Sequence, residues 1–195
     1  MQNFCRFNSP EGRCFSYDSR ASNYGRGEGI ATLILKPLSA ALREGDPIRA
    51  IIRGTGVNSD GRTTGLTTPS QTAQEHLIRQ VYERAGLDPL ETIFVEGHGT
   101  GTQVGDPIEV SALAAVFGKG RGSDRKLWLG SVKTNVGHLE GASGVAGVMK
   151  AVLMVEKGEI VPNLNFVKAN PKIKMEEWKI RVRAAHIHRV SMYHE

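Results

Sequence analysis

The stretch "TIFVEGHGTGTQVGDPIEVSALAAVFG" (92–118) decides the fold. Its first part, "TIFVEG" (92–97), is an apolar run of the kind that forms a buried strand. Its last part, "DPIEVSALAAVFG" (106–118), opens with helix-start signals, because Asp106 can cap the first turn, a proline follows at N1, and Glu109 stands at N3. The stretch therefore predicts a strand, a glycine-rich loop and a helix, in that order.

The same alternation continues on both sides of this stretch. "TPSQTAQEHLIRQVYERAG" (68–86) predicts a helix that is capped by Thr68, is apolar at every fourth position and ends at Gly86. "LWLGSV" (127–132) predicts a second strand, and "SGVAGVMKAVLMVEKG" (143–158) predicts a helix that is apolar nearly all round and therefore buried on most sides. The order α-β-α-β-α indicates an α/β fold with a mostly parallel sheet and helices on its faces.

The two ends of the chain are less regular. Residues 1–29 are polar and rich in glycine and arginine, which is typical of a loop. "IATLILK" (30–36) and "IRAIIRGTG" (48–56) predict two strands that could pair antiparallel, with a short helix or a turn at 38–46 between them. The last residues, 183–195, follow no periodic pattern and predict a poorly ordered end.

Composition excludes several classes of protein. The chain has 195 residues, of which 39% are hydrophobic and 23% charged, so it is long and apolar enough to form a globular core. It holds no apolar run near the ~20 residues of a membrane span and no apolar signal-peptide region, which predicts a cytoplasmic chain with no membrane partner. Cys5 and Cys14 are too few for a disulfide framework. The net charge of +5 lies mostly in residues 168–195, where Trp178 and Tyr193 are the only aromatic residues, and this distribution argues against nucleic acid as a partner.

Two glycine-rich stretches are the candidate site. In a parallel sheet, ligands bind beyond the carboxyl ends of the strands. Residues 97–105 and 130–144 both begin at such ends, which places His98 and His138 at the expected site. A glycine-rich loop with one histidine can be a phosphate cradle, a metal site or the wall of a catalytic pocket.

Spacing disfavours the first two interpretations. Residues 97–105 do not fit G-x-G-x-x-G from any starting glycine, and Val132 stands before Lys133 where a P-loop requires glycine. The chain has no H-E-x-x-H motif and no paired C-x-x-C motif, and its H-x-H pair, His186 and His188, lies far along the chain from either loop. We therefore expect neither a nucleotide nor a metal at this site.

The third interpretation remains open from the residues alone. A lone histidine is more often structural than catalytic, but His98 and His138 each follow a predicted strand and precede a helix. Thr100 and Thr102 add hydroxyls beside the first histidine, and Lys133 adds a cation that could tune nearby pKa values. The pattern leaves open both a two-histidine acid/base or oxyanion site and a structural role.

A family resemblance is carried by these same loops. "EGHGTGTQVGDPIE" (96–109) resembles the first histidine motif of the β-ketoacyl synthase (ketosynthase) domain of polyketide synthases, and "GSVKTNVGHLEGASGVAGVMKAVL" (130–153) resembles the second. "SPEGRCFSYDSRASNYGRGEG" (9–29) and "IIRGTGVNSDGRTTGLTTPS" (51–70) resemble the segments before and between these motifs, and "GEIVPNLNF" and "NPKI" resemble the stretch after the second motif. The likeness runs in order from about residue 1 to 175 and is nearest to modular or iterative polyketide synthases, including fungal reducing types.

The resemblance implies a thiolase-like fold, a layered αβαβα arrangement of two similar halves, here incomplete. Residues 1–66 would be the end of the N-terminal half and a connecting loop. Residues 67–175 would be most of the C-terminal half, and residues 176–195 an atypical tail. The complete domain would be a homodimer.

The resemblance also implies a reaction, decarboxylative Claisen condensation of an acyl thioester with a malonyl-type extender. The extender would arrive on the phosphopantetheine of an acyl carrier protein, with no cofactor bound directly and no metal. Carried over by motif, the catalytic residues would be His98, His138 and Lys133. The residues contacting the pantetheine arm would be Thr100, Thr102, Gly99 and Gly101.

The chain departs from the family at the nucleophile. It contains no D-T-A-C-S-S-type elbow, and Cys5 and Cys14 lie in other contexts, so we expect no nucleophile and no condensation by this chain alone. The "FGFGGTNAH"-type segment is also absent. We expect apolar faces that the missing half would cover to be exposed, with poor solubility or self-association. The alternative function is a non-catalytic or degenerate fragment that keeps only a pantetheine or carrier-protein binding surface.

Overall fold

The computed structural model describes residues 8–63, 65, 68–184 and 190–191. Its helices are α1 (Leu38–Glu44), α2 (Gln71–Ala85), α3 (Gly105–Leu113), α4 (Lys133–Val136) and α5 (Ser143–Lys157). Its strands are β1 (Phe94–Glu96), β2 (Leu127–Gly130), β3 (Glu159–Ile160), β4 (Ile180–Val182) and β5 (Val190–Ser191). Single turns of 3-10 helix lie at Pro89–Glu91 and Glu140–Ala142, and a π-helical turn extends α3 over Ala114–Gly118.

The centre of the structure is a three-stranded parallel sheet in the order β1-β2-β4. Phe94 pairs with Trp128, and Leu127 pairs with Ile180. β3 and β5 form a separate antiparallel pair. The predicted order of helices and strands from residue 68 onward and the parallel sheet are both confirmed.

Side chains of the central strand alternate between two cores. Leu127 and Leu129 join one hydrophobic cluster with residues of α3, while Trp128 joins another with Met154 of α5 and Ile160 of β3. Because successive side chains of a strand point to opposite faces, α3 covers one face of the sheet and α5 the other. α2 packs against α3 in the first of these layers.

The third strand of the sheet has no counterpart in the predictions. β4 lies within residues 176–195 and supplies Ile180 and Val182 to the larger core cluster, both nearly or fully buried. Three residues are too short a run to show a periodic pattern. The predicted poorly ordered end falls largely on residues 185–189 and 192–195, outside the described residues.

The two predicted strands at 30–36 and 48–56 are wrong for this structure. Both segments lack helix and strand and are largely exposed, and neither forms a β-bridge within the described part of the chain. A strand requires a partner for its backbone N–H and C=O groups, and an apolar run does not supply one. The segment at 48–56 lies instead beside α2, where Gly56 is close to Val81 and Leu77. The short helix between the two segments is confirmed as α1.

The N-cap of α2 and the burial of α5 also differ from the predictions. Ser70 rather than Thr68 caps α2, accepting a hydrogen bond from the Ala73 N–H, while Gly86 ends the helix in the left-handed conformation as predicted. In α5, only Ser143, Lys150 and Met154 are buried, so its largely apolar surface is not covered on most sides.

The N-terminal loop runs through the interior. Cys14, Phe15, Tyr17 and Asp18 are each at most 1% exposed. The Asp18 carboxylate accepts hydrogen bonds from the Val167 and Lys168 N–H groups at 2.6 and 3.0 Å. The predicted loop is thus correct in its lack of helix and strand, and it packs as part of the core.

Candidate active site

Two loops meet at the carboxyl end of the sheet. The first runs from the end of β1 to the start of α3 and carries His98; the second runs from the end of β2 to the start of α5 and carries His138. Because β1 and β2 are parallel neighbours, both loops leave the sheet at the same edge. The two imidazole rings lie 5.5 Å apart between centroids and are nearly perpendicular, at 85°. The structure therefore brings together the two histidines that sequence analysis selected.

The backbone of the first loop is held at His98 and Gly99 by one carboxylate. Glu109, on α3, accepts the His98 N–H through Oε1 at 2.5 Å and the Gly99 N–H through Oε2 at 2.9 Å. The Ser131 hydroxyl of the second loop donates to the His98 carbonyl at 3.1 Å. His98 is thus fixed from α3 and from the second loop at once.

A second carboxylate holds the rest of this loop. Asp106 is 1% exposed, and its Oδ1 accepts the Gly101 and Thr102 N–H groups at 3.0 and 3.1 Å. Its Oδ2 accepts the Tyr17 N–H at 2.7 Å. The prediction that Asp106 caps α3 is wrong, since Val104 occupies the N-cap position and the Asp106 side chain turns back to the loop.

The two central glycines are required by the backbone and by close packing. Gly99 has φ +46°, and a Cβ there would lie 2.6 Å from both Ser131 Cβ and the Tyr17 hydroxyl oxygen. Gly101 has φ +82°, and a Cβ there would lie 2.8 Å from the Phe15 backbone nitrogen. Any larger residue would be strained and would push the loop away from the protein beneath it. Contact of these glycines with a pantetheine arm stays a prediction.

Of the two threonines on the first loop, Thr102 lies at the wall of an open cavity. Thr102 lines a cavity of about 650 Å³ whose wall also includes Tyr24, Gln103 and Val104. Its Oγ1 accepts the Gly105 N–H at 3.0 Å, so the hydroxyl hydrogen is available to another acceptor. Thr100 is half-buried on the same loop.

His138 has a defined orientation. Its Nδ1 accepts the Glu140 N–H at 2.9 Å and lies 3.0 Å from the Ser143 hydroxyl oxygen. The Tyr24 ring packs against the imidazole with 4.8 Å between centroids. Because Nδ1 accepts a backbone N–H, the neutral ring carries its proton on Nε2.

Lys133 places a buried positive charge beside both rings. The residue is 4% exposed at the start of α4, and no ion pair found among the described residues includes it. Burial lowers the pKa of its ammonium, while the carboxylates of Glu109 and Glu96 oppose that shift.

Both imidazoles are neutral near pH 7. Desolvation first, then the charge of Lys133 and then His138, lower the pKa of His98 to about 4. His98 keeps exposed surface, but the protein packed around the ring withholds the water that would stabilise an imidazolium. Desolvation and Lys133 also lower the pKa of His138. Two neutral rings provide N–H donors without positive charge of their own.

The carboxylates of the first loop are shifted in the opposite direction. Desolvation raises the pKa of Asp106 to about 7, against the hydrogen bonds from Tyr17, Thr102 and Gly101. Desolvation also raises the pKa of Glu109, whose hydrogen bonds from the loop oppose the change.

Several residues at the site were missed or misread from the sequence. Asp106 and Glu109 were interpreted only as helix-start residues, although acids immediately after a glycine loop are also suited to accept its N–H groups. Tyr17 is fully buried and its hydroxyl donates to Glu109 Oε2 at 3.4 Å. No local signal indicates Tyr17, because the contact joins residues 92 positions apart.

The environment of Cys14, the cysteine among the described residues, does not suit a nucleophile. Cys14 is 1% exposed, and its Sγ accepts the Gly25 N–H at 3.3 Å. Desolvation raises the pKa of the thiol, which disfavours the reactive thiolate. Cys5, His186 and His188 lie outside the described residues. In the described part of the chain, no three His, Cys, Asp or Glu residues cluster as a metal site would require, and no helix is long and apolar enough to cross a membrane.

Comparison with sequence families and curated proteins gives a consistent result. Residues 49–167 match the β-ketoacyl synthase C-terminal domain. The chain is 63% identical over 177 residues to the highly reducing polyketide synthase tstA of Talaromyces stipitatus, and 58% identical over 174 residues to poxF of Penicillium oxalicum. These matches cover 91% and 89% of this chain but 7% of each relative.

Solved structures show the same similarity in three dimensions. The ketosynthase from module 6 of the bacillaene synthase of Bacillus subtilis 168 matches with a TM-score of 0.92 and 38% identity. An oxazolomycin ketosynthase domain of Streptomyces albus matches with a TM-score of 0.90 and 35% identity. The alignments cover 99% and 98% of this chain but only 34% and 32% of those chains. The thiolase-like fold is thereby confirmed over about a third of the length of a solved ketosynthase.

Proposed function

The chain belongs to the β-ketoacyl synthase family, as part of the ketosynthase domain of a polyketide synthase, and we propose that it supplies the decarboxylating half of the ketosynthase site. The observation that carries this proposal is the pair of neutral imidazoles, His98 and His138, that face each other beside the buried Lys133. The pair comes from two separate strand ends; Glu109 holds the backbone of His98, and the Glu140 N–H holds the ring of His138.

The proposed substrate is a malonyl-type thioester. Its carbon–carbon bond to the carboxylate breaks, CO₂ leaves, and the electron pair stays on the thioester as an enolate. The negative charge develops on the enolate oxygen, where an N–H donor in a water-poor site stabilises it. His138 is suited to this task because its proton lies on Nε2, and His98 provides the second donor. Burial first, and then the charge of Lys133, keeps both rings neutral, and that charge adds a favourable field.

The proposed carrier of this thioester is the phosphopantetheine arm of an acyl carrier protein. Thr102 lines the cavity beside the first loop and can donate a hydrogen bond to an amide of the arm, with Thr100 as the second candidate. We also propose, from family membership, that the complete domain condenses acyl and malonyl-type thioesters as a homodimer. The division of the chain at residues 66 and 175 stays a prediction.

Condensation needs a thiol that carries the acyl chain. Cys14 does not meet this need, because it is buried, accepts a backbone N–H and has a raised pKa. We therefore propose that this chain alone does not condense. The same observation favours the second candidate function, a module that binds the pantetheine arm without chemistry.

Decarboxylation can be measured without the acyl-carrying thiol. The full chain is incubated with malonyl-pantetheine, and acetyl-pantetheine and CO₂ are quantified. We expect turnover above the buffer rate, and a loss of about 10²- to 10³-fold of that excess in His98→Ala or His138→Ala, since each removes one donor to the enolate oxygen. His76→Ala, an exposed histidine on α2, is the matched control and should keep the wild-type rate. A wild-type rate equal to that of buffer would contradict the catalytic proposal.

The binding function is tested separately. A phosphopantetheinylated acyl carrier protein is titrated into the chain, alongside the same carrier without its arm. We expect the arm to strengthen binding in the wild type and to lose that effect in Thr100→Val with Thr102→Val, which preserve shape and remove the hydroxyls. Binding that is equal with and without the arm would contradict the pantetheine surface.

A further inference from the structure

Glu96 is the last residue of β1, and its carboxylate joins three elements. Its Oε1 accepts the Val132 N–H at 2.5 Å, in the turn that follows β2. Its Oε2 accepts a hydrogen bond from Lys150 Nζ at 2.6 Å, on α5. One side chain therefore ties a strand end to the second loop and to the helix covering the sheet.

The ion pair between Glu96 and Lys150 is set apart by its burial. Their side chains are 11% and 9% exposed, whereas every other ion pair found in the described part of the chain has at least one side chain exposed by a third or more. A buried ion pair is weak evidence for stability, because desolvation offsets its attraction. The presence of this ion pair is better explained by the backbone that it positions.

The ion pair of Glu96 and Lys150 positions the turn that carries Lys133. Val132, whose N–H is bound by Glu96, is the residue directly before Lys133. Asn163 fixes the preceding residue, since its Oδ1 accepts the Ser131 N–H at 3.1 Å. The carboxylate of Glu96 is also one of the two largest negative influences on the buried Lys133 ammonium, together with Glu109 and ahead of Asp106.

We propose that Glu96 and Lys150 form a positioning pair that fixes the turn carrying Lys133 and keeps a negative charge beside that ammonium. In the first loop, Asp106 and Glu109 of the following helix bind the loop backbone. In the second loop, the corresponding carboxylate comes from the neighbouring strand and is itself held by α5. The importance of Lys133 rests on the proposed function, while the pairing and its effect on Lys133 do not.

The test uses the full chain and removes the charges of Glu96 and Lys150 while largely keeping the shapes of their side chains. In the double variant Glu96→Gln with Lys150→Met, the glutamine oxygen still accepts the Val132 N–H, and no unpaired ion is left in the interior. The titration midpoint of Lys133 is followed by NMR with ¹³Cε-lysine, and its signal is assigned by its loss in Lys133→Met. The matched control is Glu176→Gln with Lys126→Met, which removes a Glu–Lys pair whose glutamate is 85% exposed.

We expect the titration midpoint of Lys133 to fall in the Glu96 and Lys150 double variant, because the negative charge of Glu96 is among the main influences on this ammonium and the positive charge of Lys150, removed with it, is not. We expect no change in the control. Lys150→Arg alone, which keeps both Glu96 and the ion pair, should show the wild-type midpoint. Equal midpoints in the two double variants would overturn the charge part of the proposal.

A wild-type measurement covers the case in which the double variant does not fold. Hydrogen exchange at the Val132 amide should be slow, because its N–H is bound to Glu96 in the interior. Exchange as fast as that of an unstructured amide would overturn the positioning role. Neither measurement contains a thioester, so their outcome is independent of whether the chain decarboxylates malonyl-pantetheine.

Discussion

The two site loops and the segment at 30–56 both run largely outside helices and strands, yet they differ in where their backbone groups are satisfied. Asp106 and Glu109 together accept four N–H groups of the first loop and the N–H of Tyr17. In the segment at 30–56, the backbone outside α1 has no strand partner in the described residues. Ile30 and Ile34 are 99% and 97% exposed. The loops are fixed by polar side chains, whereas no strand that pairs with the segment lies in the part of the chain that the structure describes.

This difference shows what an apolar pattern can and cannot establish. A run such as "IATLILK" predicts a strand only where another strand is present to pair with it. The chain spans about a third of the solved ketosynthases and keeps their conformation over nearly all of its own length. We propose that the rest of the complete domain covers the segment at 30–56 and the exposed side of α5, where Val148, Met149 and Leu153 are open to solvent.

The largest loss of stability is expected when the first loop loses the carboxylate of Asp106. Asp106→Ala leaves the N–H groups of Tyr17, Gly101 and Thr102 without their buried acceptor, at a cost of about 1–3 kcal/mol for each such group. We expect the free energy of unfolding to fall by about 4 kcal/mol. Urea denaturation followed by tryptophan fluorescence measures it. Glu83→Ala, an exposed acid on α2, is the control; a loss at Asp106 no larger than at Glu83 would show that the loop does not depend on this carboxylate.

The second prediction compares an isoleucine-to-alanine substitution in the buried sheet with the same substitution in the segment at 30–56. Ile180→Ala removes a fully buried side chain from β4 and should lower the free energy of unfolding by about 3 kcal/mol, through lost burial and the cavity left behind. Ile34→Ala changes a side chain that is already in water and should alter it by less than about 0.5 kcal/mol. The same denaturation experiment measures both. A comparable loss at Ile34 would mean that the segment at 30–56 is packed in solution.

Much of the fold could be predicted because its signals are local. The helix at 71–85 and the strands at 94–96 and 127–130 each lie within a predicted element, since apolar periodicity and capping are set by neighbouring residues. The convergence of His98 and His138 followed from the parallel sheet, which places consecutive strand ends at one edge. Their chemical roles stay predictions.

What could not be predicted depends on distant contacts. Nothing near Tyr17 indicates that its N–H meets Asp106, 89 residues away, and nothing near Glu96 indicates Lys150, 54 residues away. The three residues of β4 join the sheet only because β2 offers a free edge there. The cap of α2 was misplaced by two residues because Thr68 and Ser70 are both good caps, and the sequence does not choose between them.

A smaller effect should appear as self-association. Ile30 and Ile34 expose apolar surface that is not covered, so copies of the chain should associate through it. In Ile30→Lys with Ile34→Lys we expect the dissociation constant of the self-associated form to rise about tenfold, with an unchanged free energy of unfolding. Sedimentation velocity over a concentration series measures the first quantity. A sharp two-state melt of a monodisperse wild-type monomer would contradict the prediction of self-association.

The smallest expected effect is the influence of Lys133, on the second loop, on the pKa of His98 in the first loop. Lys133→Met removes the positive charge that, after desolvation, contributes most to the low pKa of His98. We therefore expect that pKa to rise from about 4, as followed by the imidazole ¹H–¹³C signals in NMR. Between the ordinary value of 6.5 and about 4, the unfolded chain binds a proton at His98 that the folded chain does not, so stability falls as the pH falls through this window. The fall attributable to His98 should be shallower in Lys133→Met, because the folded pKa then lies nearer the unfolded one. An unchanged His98 titration would mean that the charge of Lys133 does not set its pKa, and that this residue's loop acts on the first mainly through contacts such as that of the Ser131 hydroxyl with the His98 carbonyl.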